Sequence, residues 1–186
     1  MPQTKITTKG SFTGITLASM RNYLKFELTD AVEDALITSM IAAAVERVEK
    51  YCNILLRVCT VEAIFDDFEV SDERAGGSVL LPCIPCISVT SVNIIDSQGT
   101  ATDETSFLQK GSQLKEVICP NYKDGDNLKI VFQAGYGGES QESIPEIAIQ
   151  VIYKLVGRMY EQRGSEEPLS GDERKDLNKI SFNAWI

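Results

Sequence analysis

The chain has 186 residues, 43% of them hydrophobic, and a formal net charge of −9. That length and apolar share suffice for one domain, or for a helical body with a small appended subdomain, and exclude bulk disorder. The acidic balance without a Lys/Arg block argues against a protein that grips phosphate backbones, no apolar run approaches the roughly 18 residues of a membrane span, and the absence of histidine removes the commonest general base and metal ligand.

The first residues, "MPQTKITTKGSFTG", have no apolar core of a secretory signal, so synthesis for the cytosol is expected. The five cysteines then read as free thiols, not a disulfide framework. Residues 1–14 are polar and are expected to fray as a flexible N-terminus. Thr16 is a good N-cap, and Leu17, Met20 and Leu24 follow at helical spacing, which predicts a short helix over 16–26. After a turn at "LTD", with Thr29 or Asp30 as cap, "AVEDALITSMIAAAVERVEKYC" is the strongest helix of the chain. Val32, Leu36, Met40, Ala43 and Ala44 form one stripe, widened by Ile37, Ile41, Val45 and Val48. The small Ala42–Ala44 run lets another helix come close, the one containing Ile147–Tyr160 being the expected partner.

The period changes after Asn53. In "VCTVEAIFDDF", Cys59, Val61, Ala63 and Phe65 alternate on one face of a strand. Short β-branched runs and turn signals at "DSQGT" (a hairpin) and "NYKDGDN" predict five to seven strands over 57–137. Helical period returns at "SIPEIAIQVIYKLVGRMYEQRG", with Ser143 as the expected cap, Pro145 in the first turn and Gly164 at the end. Ile147, Val151, Leu155 and Met159 make its stripe, with Ala148, Ile152, Val156 and Tyr160 beside it. A polar loop with at most a short helical turn follows, and "ISFNAWI" carries the only tryptophan. The expected fold is therefore α+β. A helical bundle from residues 15–56 and 140–186 holds an inserted β-rich subdomain, 57–139, of short, mostly antiparallel strands.

Four stretches invite a chemical reading. Cys83-Ile84-Pro85-Cys86 has the spacing of thiol–disulfide enzymes, but those place the first cysteine at a helix N-terminus, and here "ISVTSVNII" reads as a strand. Pro82 and Pro85 instead hold the segment extended. Zinc would need two of the scattered Cys52, Cys59 and Cys119 to join that pair, where a strong signal has two C-x-x-C pairs. "AGYGG" (Ala134–Gly138) lacks the lysine of a phosphate loop and the third glycine of a dinucleotide fingerprint, and reads as a strand exit at positive φ. Asp66 with Asp67, and Asp124 with Asp126, lack calcium-loop spacing and read as solvated turns. No catalytic residue, cofactor site or metal site is expected, and no Ser/His/Asp or Cys/His set is possible.

The order of the parts is itself a signal. "TLASMRNYLKF", "DALITSMIAAAVERVEKY", "LPCIPCISVTSV", "AGYG" and "IPEIAIQVIYKLVGRMYEQR" occur in that order over about 15–186. This order resembles the head–tail connector proteins of tailed bacteriophages, also called adaptor, head-completion or DNA-packaging proteins. In that pattern the prolines of the "L-P-x-x-P" stretch recur and the cysteines do not. Arg21 stands where a lysine is frequent, and Gly157 and the acidic loop 164–176 depart from the pattern.

The resemblance implies a structural virion protein, not an enzyme. It would bind the phage portal vertex as a homo-oligomeric ring, extend the DNA channel and dock a stopper or tail-completion protein. DNA would pass without specific binding, which suits the acidic balance. It implies a virion component at the head–tail junction, present in the bacterial host cytoplasm during assembly, with no membrane partner. The aromatic C-terminus gives Phe182, Trp185 and Ile186 as interface residues, against the alternative that Phe182 and Trp185 fold onto their own core. Other phage neck or tail-completion proteins are the nearest alternative, and a small thiol-redox or zinc-binding module the remote one.

Overall fold

The computed structural model describes residues 2–25, 33–66, 77–123, 125–137, 143–162 and 169–182. The fold is α+β with antiparallel sheets, and its contacts divide it into two units. One is built from Met1–Gly10 and Arg57–Gln141, the other from Ser11–Leu56 and Glu142–Asn183.

The β unit has eight described strands: β1 (Gln3–Lys9), β2 (Cys59–Phe65), β3 (Gly77–Leu80), β4 (Cys86–Ile95), β5 (Ala101–Asp103), β6 (Leu108–Lys110), β7 (Glu116–Cys119) and β8 (Asn127–Ala134). A five-stranded sheet runs β1-β2-β8-β4-β5 and a three-stranded sheet runs β3-β7-β6. The alternation read in β2 is realised: Cys59, Val61, Ala63 and Phe65 are buried, with Glu62 and its neighbours between them turned outward. Each buried residue of β2 faces a buried residue of β8, as Val61 faces Phe132, Ala63 faces Ile130 and Phe65 faces Leu128. One apolar layer thus spans the central pair, because period-2 alternation on both strands falls in register. The expected hairpin joins β4 to β5, closed by the Asp96 N–H donating to the Thr100 carbonyl at 3.0 Å, with Gly99 at φ 84°.

The N-terminus departs from the expectation of fraying. Gln3–Lys9 pair antiparallel with β2, with a register shift between Ile6 and Thr8. Every side chain of β1 is exposed, so no buried alternation marks the strand in the sequence. Its backbone hydrogen bonds to β2, with β-branched Ile6, Thr7 and Thr8, hold it in place.

The helical unit has α1 (Leu17–Tyr23), α2 (Asp34–Cys52), α3 (Glu146–Glu161) and α4 (Gly171–Asn178). Thr16 caps α1 as expected, accepting from the Ser19 N–H in a reciprocal capping box. Helix α2 starts with Glu33 at its N-cap, while Thr29, Asp30 and Val32 lie outside the described residues. Its buried stripe is Ile37, Ala44, Val45, Val48 and Cys52, and Leu36, Ala42 and Ala43 face outward. Of the wide stripe expected, the half with Ile37, Ala44, Val45 and Val48 is buried, and Met40 and Ile41 lie half-buried at its margin. Helix α3 begins at Glu146 after Pro145, without the Ser143 cap, and Gly164 lies outside the described residues. Ala148, Val151, Ile152, Leu155 and Val156 are buried, so both expected stripes are used at mid-helix. The loop after α3 contains a true two-turn helix, α4, capped by Ser170 and Glu173 in a second capping box.

Candidate assembly surface

The segment Cys83–Cys86 has the geometry of a strand lead-in, not of a thiol enzyme. Cys86 opens β4, opposite Ala134 of β8, and no helix begins there. The Ile84–Pro85 peptide is cis. The Pro85 carbonyl accepts from the Gly135 N–H at 2.8 Å, and the Cys86 N–H donates to the Gln113 carbonyl at 2.7 Å. Burial pushes the thiols of Cys83 and Cys86 up to about 11, with Lys115 opposing the shift at Cys86. Thiols so shifted stay protonated at neutral pH, the opposite of an attacking thiolate. Cys52, Cys59 and Cys119 are also buried and in no disulfide, and among the described residues no group of three metal-ligating side chains comes together.

The same geometry explains "AGYG". Gly135 lies at φ 120° and Gly137 at φ 99°. A Cβ on Gly135 would sit 2.0 Å from the Arg57 carbonyl oxygen, so only glycine fits where β8 ends. The two family-like motifs, proline lead-in and glycine exit, are therefore one structural joint, tied by Gly135 and Pro85.

Carboxylates gather around a cleft of about 600 Å³ lined by Asp96, Asp103, Glu104, Asp126, Tyr122 and Lys123 among others. Most of these acids serve a nearby backbone N–H. Asp96 accepts from Gln98 and Thr100 at 2.9 and 2.8 Å, Glu104 from Ser106 at 2.7 Å, and Asp126 from Lys123 at 3.3 Å. They are turn-closing groups, as read for "DGD". Asp66 accepts from the Gln3 amide at 3.2 Å, while Asp67 and Asp124 lie outside the described residues.

Of the three expected interface residues, Phe182 is described. It is half-buried, and its N–H donates to the Cys52 carbonyl at 2.7 Å, one of the orphan acceptors at the end of α2. Trp185 and Ile186 lie outside the described residues.

Sequence reasoning missed the polar contacts that join the helical motifs. Arg21, 8% exposed, sets its Nε 2.7 Å from Asp34 Oδ1, so the first two motifs are bonded to each other. The Tyr160 hydroxyl donates to Glu33, the N-cap of α2, linking the last motif to the start of that helix. Arg158 Nη2 lies 2.8 and 2.7 Å from the two oxygens of Glu173, which is 5% exposed. A Cβ on Gly157 would lie 3.3 Å from the Tyr23 ring, and Tyr23 stacks on Tyr153 with centroids 5.0 Å apart. Gly157 thus makes room for α1. Large apolar side chains also stand outward: Ile6, Tyr23, Leu36, Leu80 and Leu108 are 38–57% exposed. By strand register Leu80 and Leu108 share one face of the three-stranded sheet.

No protein-family model and no curated protein matches the chain. Solved structures share its fold almost end to end. A chain from the neck of an empty gene transfer agent (GTA) particle, computed with C6 symmetry, is 20% identical at a TM-score of 0.76, covering 99% of this chain and 97% of that one. A chain of the native GTA virion is 19% identical at 0.74, with 99% and 97% covered. A chain from the native GTA neck, computed with C12 symmetry, is 19% identical at 0.69, with 98% and 97% covered. The fold of this protein is thus shared with chains of particle necks over both units.

Proposed function

We propose that this protein is a structural component of the neck of a phage-like particle, and within that class a head–tail connector. It binds the portal vertex as a homo-oligomeric ring, extends the DNA channel and presents a docking surface for the stopper or tail-completion protein. The carrying observation is the two-way, near-complete fold match to chains of symmetric GTA necks. The order of five connector-like motifs supports it, as do the bonds that join motifs in pairs at Arg21–Asp34 and Pro85–Gly135.

In this reading the protein is not an enzyme. Its cysteines are buried strand and helix residues with raised thiol pKa values, and its carboxylates close turns. A net charge of −9 suits a wall past which DNA slides without sticking. A closed ring needs heterologous contacts, in which one face of each subunit meets a different face of the next. The outward Leu80 and Leu108 belong to such a contact in the β unit, and Phe182, Trp185 and Ile186 are the segment that reaches the portal or a neighbouring copy.

The test is the mass of the purified protein in reducing buffer, by light scattering over a wide concentration range. Growth that stops at a closed ring of about a dozen chains supports the connector reading. Open-ended growth into filaments contradicts it. A monomer throughout shifts the decision to binding of the cognate portal ring, and a chain that binds tail components but not the portal is a tail-completion protein instead.

A further inference from the structure

We propose that residues 169–182 form a latched strap, a segment that opens and closes as one local unit over the C-terminal end of α2, with Arg158 and Glu173 as its latch. Three observations carry this. Helix α4 has the sequence GDERKDLN, with Leu177 as its one apolar residue, and an eight-residue helix of that composition does not stand by itself in water. Among the described residues it is held by buried Leu169 and Leu177, by Glu173 buried against Arg158, and by the Tyr51 hydroxyl donating to Asn178 at 2.9 Å, with Ile180 and Phe182 only half-buried. What it covers is specific. The Cys52 thiol faces the Leu177 carbonyl at 3.8 Å, and the Cys52 carbonyl accepts from the Phe182 N–H.

The rest of the helical unit is held differently. α2 and α3 meet through Ala44, Val45, Val48, Val151, Ile152, Leu155 and Val156, all 1% exposed or less. Elements with few buried apolar contacts open at lower free energy than the core they rest on. The strap therefore opens at lower free energy than the α2–α3 core, and Cys52 is the group its departure uncovers. The latch carboxylate is held on two sides, by the Arg158 guanidinium and by the Ser170 N–H at 2.7 Å, so it ties the start of α4 to α3. If the connector reading holds, opening lengthens the reach of the C-terminal segment towards the portal. The opening itself does not depend on that reading.

The experiment is native-state alkylation of the purified full-length protein with iodoacetamide at fixed pH, read by peptide mass mapping. Cys86 is the matched internal reference, a buried thiol raised to about 11 like Cys52, and Cys119, raised to about 12, is a reference about tenfold slower on that ground alone. The expected result is that Cys52 reacts at least about tenfold faster than Cys86 and about a hundredfold faster than Cys119, with little dependence on low urea. Glu173→Gln, which removes the charge from the latch, speeds Cys52 by a further tenfold or so and leaves Cys86 and Cys119 unchanged. Asn178→Ala, a milder surface change, moves Cys52 in the same direction by less. Reaction of Cys52 in step with Cys86 overturns the strap, and so does a rate that neither variant changes, or variants that accelerate all three thiols together. Because the readout needs no ring and no portal, its failure leaves the connector reading standing, and a failed portal assay leaves the strap standing.

Discussion

Gly135 joins the end of β8 to the proline lead-in of β4, and its place permits no side chain. Gly135→Ala combines a φ of 120° with a Cβ 2.0 Å from the Arg57 oxygen, so it is expected to cost about 2–4 kcal/mol. Gly99→Ala, at φ 84° with open space around it, should cost only about 1 kcal/mol. Urea unfolding of the two variants separates the clash from the backbone term. The thiols give a pH prediction at the same scale. Burial raises Cys119 from 9.0 to about 12 and Cys52 from 9.0 to about 11. The unfolded thiols ionise first, so this contribution is intact below pH 9 and is lost as pH rises towards the folded values. Cys119→Ala should therefore lessen the fall of unfolding free energy between pH 9 and 12 by up to about 1.4 kcal/mol per pH unit. An unchanged slope would mean that Cys119 ionises in the folded state as readily as in the unfolded one.

Among the elements, capping and stripe choice set stability. Thr16→Ala removes the side-chain acceptor for the Ser19 N–H and should cost about 1 kcal/mol by thermal melting. Val48→Ala, fully buried on α2, should cost about 2–3 kcal/mol, whereas Leu36→Ala on the outward stripe of the same helix should cost under about 1 kcal/mol in the isolated protein. What the sequence made legible follows from this. The β2 alternation was readable because its buried face repeats every second residue without interruption. The α2 stripe was only half readable, since Leu36 and Ile37 both begin apolar rows and tertiary packing chose between them. β1 was unreadable because pairing of its backbone, not burial of its side chains, makes it a strand. α4 was hidden by its polarity, although Ser170 and Glu173 carry the S-x-x-E capping spacing that marks a helix start. Arg21 and Asp34 appeared as members of separate motifs, and only the fold shows that they bond, as Tyr160 does to Glu33 just before the second motif.

For the whole molecule, the fold is shared almost end to end with GTA neck chains, and the ring is the reading proposed from that likeness. The expected C-terminal interface set is described only at Phe182, whose N–H bonds to the end of its own α2, and the outward Leu80 and Leu108 emerged only from strand register. A chain truncated after Phe182 should keep its cooperative melt and lose co-purification with the portal, if residues 183–186 are the docking segment. The central claim is assembly on a portal vertex, and it is tested most directly by weighing the cognate portal ring with and without saturating amounts of this chain, by mass photometry. The account predicts a single heavier species, gaining about 250 kDa if twelve copies of the 20.5 kDa chain close a ring. A portal ring whose mass does not change at micromolar concentrations of the chain would contradict it.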